Sequence, residues 1–589
     1  MSRFLITTAD ERTWPKDQPV LFLGEWCRLH HRKESWENLD AQIVPYHWDD
    51  RGKLHHDFLY LRELHEQLLL ELSQELNAQH GVDHSLRYWR ILVGPWLGYF
   101  VQMLFDRWEM IQRAIAEYGI AGVQVMDIPM EQMVPNDMHH FDALYTGDTW
   151  NEVIYSQLLD ILANVPVKRV HALEPCSSTT THPSLSFTRR MKHSLARVAS
   201  LICQRFTRDD EAFFLATYLP TMQCLRLECR LGQVPKLWRS VQSPKVALNW
   251  SRRQWQLGRS GQEGFPAVAR AMIPKHIPTL YMEGYAALTK HCDRLPWPKK
   301  PRLVFTSNSY SSDDVFKAWA AEKVEAGTAL VIGQHGGNYG VGRWGFSEDH
   351  ECAISDGWLS WGWDDESRPQ IKPVGNLKMV GVDMGWDPEG DALMVEVTMP
   401  RYSYHMYSVP VAGQWLGYFD EQCRFVDALP DDIRRSLLVR LYGIDYGWNQ
   451  SARWRERFPD IRLDEGRAPI APLISKSRLY VSTYNATTFL ESMAMNIPTI
   501  IFWNVHQWEI RDSAVPFFER LKSAGIFHET PELAAHQMTK VWHNVANWWN
   551  SNPVQGARRE FCSRYSHIPQ NPLENLEGVL RRIAPAAME

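Results

Sequence analysis

The apolar positions of the chain fall into two regimes. In the first part they recur mostly at helical spacing. Leu54, Phe58, Leu61, Leu64, Leu68, Leu72 and Leu76 make one stripe with Gly81 as a C-terminal stop, so a long helix is predicted. Ser85 caps a second helical stretch, Leu86 to about Tyr118, with a break expected at Gly94-Pro95. Two apolar runs read as buried strands instead. One is Val20-Leu21-Phe22-Leu23-Gly24, feeding the loop Glu25-Trp26-Cys27-Arg28, and the other is Gly122-Val123-Gln124-Val125-Met126. The stretch 166–188, which contains Cys176-Ser177-Ser178-Thr179-Thr180-Thr181-His182-Pro183, is expected as an exposed loop.

After the Pro-rich segment Leu295–Pro301 the pattern becomes strand–loop–helix–strand. Arg302–Thr306 is predicted as a strand, Ser312–Glu325 as a helix capped by Ser312, and Thr328–Gly333 as a strand. A second series opens near Pro373-Val374-Gly375-Asn376. It runs through strand Leu393–Thr398, helix Asp431–Leu438, strand Leu479–Ser482, helix Thr487–Met495 and strand Thr499–Trp503, with helices from Glu532 onward. This alternation predicts an α/β protein with two Rossmann-like domains facing a cleft and a large helical elaboration of the N-terminal part. The expected division is an acceptor-side domain over 1–372 with helical insertions over about 54–300, a nucleotide-donor domain over 373–545, and a helical tail over 546–589 that packs back on the first domain.

A length of 589 residues requires more than one core. With 44% hydrophobic and 22% charged residues, disorder and coiled coils are set aside. The net charge of −6 gives no electrostatic reason for a nucleic-acid partner. Nine cysteines with no CxxC pair indicate neither a disulfide framework nor a zinc site. The N-terminus lacks the apolar core of a signal peptide, and no stretch approaches ~18 uncharged apolar residues, so a cytoplasmic protein is expected. The 26 tryptophans either fill a large core or stack on sugar rings.

Post-strand loops carry the candidate chemistry. In Ser482-Thr483-Tyr484-Asn485-Ala486-Thr487-Thr488 a strand runs through small and polar residues into a helix. That brings hydroxyls and the positive helix end to one point, where phosphate would bind, although helix capping accounts for one or two of them. Glu491, about one turn in, is a candidate for a ribose or sugar hydroxyl. Gly333-Gln334-His335-Gly336-Gly337-Asn338-Tyr339-Gly340 also follows a strand. Its glycines allow close approach, and His335 is placed as a phosphate donor or general acid/base; a structural histidine is the competing reading. Glu348 or Glu351 would deprotonate an acceptor hydroxyl if their segment faces the cleft, against the alternative of a solvated charge run. Ser307-Asn308-Ser309 is an acceptor-binding candidate, as is Trp26. Arg401 is a candidate partner for phosphate, and Glu25 is a weaker one for acid/base work. No P-loop, no G-x-G-x-x-G after a strand and no Asp-x-Asp at a strand end occurs, so neither cofactor nor metal is expected.

The segments Leu21–Cys27, Gly333–Gly337, Gly375-Asn376-Leu377-Lys378 and Ser482–Thr487 resemble a family of transferases encoded in bacterial O-antigen and other surface-polysaccharide clusters, over almost the whole chain. More distantly, the half from Pro301 is similar to GT-B enzymes of capsule and teichoic-acid synthesis, including glycerophosphate, Kdo and sialic-acid transferases. The resemblance implies a GT-B-like fold in which Ser482, Thr483, Asn485, Thr487 and Thr488, with Gly336 and Gly337, hold the donor's phosphate. Glu491 would then bind sugar or ribose, and His335 would sit near the transferred group. The expected activity is metal-independent transfer of a sugar from a nucleotide sugar, CMP-linked among the options, to a glycan or lipid-linked glycan acceptor. The pathway implies peripheral contact with the inner membrane or with other assembly proteins. The rivals are a polyol-phosphate transferase, a GT-B-like nucleotide-sugar epimerase, and a non-catalytic glycan-binding assembly protein.

Overall fold

The computed structural model describes residues 2–162, 165–171, 207–258 and 263–584. Most of the Ser/Thr/Pro-rich stretch expected as a loop, 172–188, lies outside the described residues. Its first part, Val167–His171, is a strand.

Short branched and aromatic runs build three sheets whose strands all pair in parallel. The first holds β1 (Arg3–Ile6), β2 (Val20–Phe22), β3 (Ala41–Ile43), β4 (Ile120–Asp127) and β5 (Val167–His171), in the order β3-β2-β1-β4-β5. The second holds β6 (Phe213–Leu215), β7 (Leu303–Thr306), β8 (Ala329–Gly333), β9 (Gly357–Ser360) and β10 (Ile371–Pro373), laid down in simple succession. The third holds β11 (Asp391–Val395), β12 (Leu437–Arg440), β13 (Arg462–Asp464), β14 (Ser477–Ser482), β15 (Thr499–Phe502) and β16 (Phe527–His528). Its order, β13-β12-β11-β14-β15-β16, reverses between β11 and β14, a Rossmann-type switch point. The last two sheets are the expected pair. The first sheet adds a third parallel layer system where mainly helices were read, because only two of its short strands carried an unbroken apolar run.

The two predicted long helices form: α1 (Arg51–His80), ended by Gly81 in the left-handed region, and α2 (Leu86–Glu117), capped by Ser85. The break expected at Gly94-Pro95 does not occur; α2 runs through Pro95. Gly94 and Gly98 instead let α3 (Phe346–Ile354) lie against α2, since a Cβ on either would meet the rings of His350 or Phe346 within 3 Å. Two further boundaries move. Asp313, not Ser312, caps the helix Asp314–Glu325, by accepting the Phe316 N–H at 3.0 Å. The helix expected over Asp431–Leu438 stops at Arg435, and Leu437 and Leu438 begin β12.

The layers are tied together. Arg51 at the start of α1 pairs with Glu509 at 2.7 Å, beyond β15. The helix α4 (Thr487–Ala494) follows β14, and the C-terminal helix α5 (Pro572–Ile583) buries Leu576 and Leu580 on the second sheet with Phe214, Leu303 and Phe305. Among the described residues no helix is long and apolar enough to cross a membrane.

Candidate functional site

A cavity of about 450 Å³ opens where the loops after β7, β8 and β11 meet α3 and the middle of α2. Asn308 and Tyr310 reach it from β7, and His335, Asn338 and Tyr339 from β8. Glu348 comes from α3, Tyr99 from α2, and Tyr404, His405 and Tyr407 from the loop after β11. It therefore lies between the second and third sheets, beyond the carboxyl ends of their strands, where ligands of such sheets bind.

The turn that carries His335 is clamped by its neighbour. Gln334 is buried, its amide donates to the Gly336 carbonyl at 2.7 Å, and its oxygen accepts the Trp361 N–H and Trp363 Nε1, each at 2.9 Å. Trp361 Nε1 also donates to the Gln334 carbonyl at 3.0 Å. The Trp361-Gly362-Trp363 tryptophans thus anchor the turn and do not stack on a ligand. Nineteen of the 26 tryptophans are buried, so most of that composition is core.

His335 Nε2 lies 3.2 Å from Tyr339 Oη, which donates to Glu351 Oε1 at 2.5 Å. Tyr310 donates to the same carboxyl oxygen and Trp358 Nε1 to the other at 3.0 Å. Burial pushes the Glu351 carboxyl up to about 8, against the pull of those three hydrogen bonds. It is therefore largely protonated near neutral pH. With Tyr339 donating to that carboxyl, its Oη accepts the His335 Nε2–H and leaves Nδ1 as the ring's acceptor. Burial pulls His335 down to about 4, so the ring is a neutral imidazole with one donor and one acceptor, and its Nδ1 is buried without a partner. His405 is likewise drawn to about 3 by burial; it stacks between Tyr99, at 5.0 Å, and Tyr407, at 4.4 Å.

Glu348 borders the cavity, but its carboxylate is committed. It accepts from Arg368 at 2.8 Å, Arg511 at 3.0 Å and the Gly340 N–H at 2.9 Å. This puts it in a structural ion-pair network rather than in the role of a free base. Asn308 is exposed at the rim. Ser307 and Ser309 are buried beneath it, Ser307 Oγ donating to the Thr217 carbonyl at 3.0 Å and the Ser309 N–H to Thr306 Oγ1 at 3.0 Å.

The start of α4 presses against the glycine turn. A Cβ on Gly337 would stand 1.9 Å from the Ala486 carbonyl oxygen, and one on Gly336 would meet Thr487 Oγ1 at 3.6 Å. Neither glycine needs a left-handed backbone; Gly340, at φ 72°, does. Asn485 Nδ2 reaches Asn338 Oδ1 at 3.4 Å, and its own Oδ1 is buried without a partner. The strand-end turns of the two sheets thus touch at this point. The other hydroxyls of the segment are used internally. Ser482 donates to the Tyr484 carbonyl at 3.2 Å and Thr483 to the Val395 carbonyl at 2.9 Å, while Thr488 accepts from Tyr480 at 2.5 Å. Glu491 pairs with Lys378 at 2.6 Å, linking α4 to the Gly375-Asn376-Leu377-Lys378 segment.

Three expected site residues stand elsewhere. Arg401 is buried and bound to Asp148 at 2.7 Å, the Tyr446 carbonyl at 3.0 Å and the Trp26 carbonyl, so its guanidinium is not open to a phosphate. Trp26 is itself buried, its Nε1 donating to the Thr7 carbonyl at 3.0 Å, and offers no face to an acceptor. Glu25 chelates Arg28 at 2.5 Å beside the first sheet. Among the described residues no three His, Cys, Asp or Glu side chains stand together as a metal would require. Tyr99 and Tyr404 were not legible as site residues. Tyr99 lies mid-helix, and nothing local marks it.

The fold and site define an α/β enzyme whose cleft lies between two parallel sheets. The chain belongs to the LIC12162 family of transferases, whose model matches residues 3–580, so it is a transferase. None of the curated proteins compared with it matches. Among solved structures, a wall teichoic acid polymerase, TagF, is 9% identical over 68% of this chain and 98% of its own, with a TM-score of 0.32. The Acinetobacter baumannii MurG is 11% identical over 63% and 99%, with a TM-score of 0.31. A pneumococcal O-GlcNAc transferase, GtfA, is 13% identical over 50% and 60%, with a TM-score of 0.32. At such scores the likeness carries no argument, and the fold rests on the sheets themselves.

Proposed function

We propose that this transferase is a GT-B-type glycosyltransferase that moves a sugar from a nucleotide donor to a surface-polysaccharide acceptor, of O-antigen or capsule type, without a metal. The observation that carries the reading is the cavity at the strand ends of two facing sheets, with His335 on one side and the loop after β11 of the third sheet on the other. The donor's phosphate is assigned to the N–H groups at the start of α4 with Thr487 and Asn485, where helix dipole and backbone donors take the part that a metal plays elsewhere. Opening the contact between Gly337 and Ala486 would admit it. His335, as a neutral imidazole, accepts the acceptor's hydroxyl proton, and Tyr339 and Glu351 hold the ring's far nitrogen.

A thermal-shift panel with CMP, CDP, UDP, GDP and ADP tests the reading. One nucleotide is expected to stabilise the protein by about 2.7 kcal/mol at a hundredfold excess over its Kd. Release of that nucleotide only when acceptor is added separates transfer from epimerisation. No shift with any of the five defeats the proposal.

A further inference from the structure

The walls of the cavity differ in charge from what an acidic sugar needs. Among the described residues no lysine or arginine lines it, and Glu348 is the one carboxyl there, with Arg368 and Arg511 already bound to it. The remaining lining is aromatic, hydroxyl, amide and imidazole. Both imidazoles, His335 and His405, are held neutral by burial, so neither is a cation at neutral pH. A carboxylate brought in here would lose water, face Glu348 and find no cationic side chain among the described lining residues.

An uncharged pyranose meets the opposite situation. Tyr99, Tyr404 and Trp344 contribute aromatic surface to the cavity's lining, suited to the C–H surface of a sugar. The Nδ1 atoms of His335 and His405 are both buried without hydrogen-bond partners, and Asn308 stands exposed at the rim. Small-molecule sites are typically of this kind, mostly apolar with a few placed polar groups, and of about this volume.

We propose that this cavity seats the terminal ring of an uncharged sugar acceptor and rejects rings that carry a carboxylate. The inference rests on the glycosyltransferase reading above and adds the class of the acceptor ring.

Saturation-transfer NMR on the full chain tests it with matched pairs: the methyl glycosides of glucose, galactose and mannose against those of the corresponding uronic acids. Each pair differs only in a hydroxymethyl group against a carboxylate. At least one neutral glycoside is expected to show a signal about tenfold or more above its acid partner's. Asn308→Trp, an exposed substitution that blocks the rim, is expected to remove the signal while leaving the melting temperature in place. Equal or stronger signals from the acids overturn the proposal. So does silence from all six glycosides, or a signal that survives in the Asn308→Trp variant. Because the nucleotide panel is read separately, a nucleotide shift with silent glycosides refutes this inference alone, whereas no nucleotide shift refutes the reading beneath it.

Discussion

The turns after β8 and β14 look alike in sequence and differ in what they do with their polar groups. Both run from a buried strand through small and polar residues. After β14, the hydroxyls of Ser482, Thr483 and Thr488 are taken up by the Tyr484 and Val395 carbonyls and by Tyr480. After β8, Gln334 takes up the structural hydrogen bonds of the turn, and His335 is left with a free ring nitrogen at the cavity. A strand-end turn becomes a site when another residue satisfies its backbone. Without such a residue, the same side chains are spent on holding the turn.

The largest expected effect breaks the β8 side. His335→Ala should lower transfer about 10²–10⁴-fold, the usual contribution of general acid–base catalysis, with an unchanged melting temperature, measured as acceptor-dependent nucleotide release. Full activity in the variant would make this turn as structural as the other. Next is Arg401→Ala, which leaves the part-exposed Asp148 without its cation and the Tyr446 and Trp26 carbonyls without their donor. A loss of about 1–3 kcal/mol in urea denaturation is expected, because the acceptors lose their donor while water reaches part of the Asp148 carboxylate. A loss below about 1 kcal/mol would return Arg401 to the pool of ligand-binding groups.

Five strands of the second and third sheets, β7, β8, β11, β14 and β15, were legible as apolar runs, whereas β10 (Ile-Lys-Pro) and β13 (Arg-Leu-Asp) carry no such run and the start of β12 reads as helix. The first sheet was legible only as isolated strands. β3 is largely exposed and β5 reads Val-Lys-Arg-Val-His, with no run to mark it. His335 and the α4 start were visible because strand–turn–helix punctuation singles them out. The fates of Arg401 and Trp26 were not, since their partners Asp148 and Thr7 lie far away in sequence and are brought in only by packing. Tyr99 was hidden for the same reason: a tyrosine inside an apolar helix has no local feature that distinguishes cavity from core.

A smaller effect separates the acid behind His335 from ordinary surface carboxylates. Glu351 is held at about 8 in the fold against about 4.3 in an unfolded chain. Since the folded value is raised, its stabilising contribution is complete below the unfolded value and is lost as pH rises toward 8. The slope is about 1.4 kcal/mol per pH unit, because only the unfolded state releases the proton in that window. Glu351→Gln cannot titrate. The stability difference between wild type and variant, followed by chemical denaturation from about pH 5 to about pH 8, should therefore drift by that slope. A constant difference would show the carboxyl to be ionised in the fold, a charged acceptor for Tyr339 in place of a neutral one.

The smallest effect on the fold is expected at Thr487, and it bears most directly on the comparison of the two turns. Its Oγ1 lies against Gly336, and the residue is only half-buried, so Thr487→Val should change the stability of the free protein by no more than about 0.5 kcal/mol. Its effect should appear with nucleotide present. A hydrogen bond to a charged phosphate is worth about 1.5–3 kcal/mol, so its loss weakens binding at least tenfold. At a concentration a hundredfold above the wild-type Kd, stabilisation should then drop from about 2.7 to about 1.4 kcal/mol or less. If the variant responds to nucleotide as the wild type does, the hydroxyl of Thr487 is a structural group like those of Ser482 and Thr488. Any phosphate held by the β14 turn would then be held by backbone N–H groups alone, and the two turns would differ in kind: one acting through a side chain, the other only through its main chain.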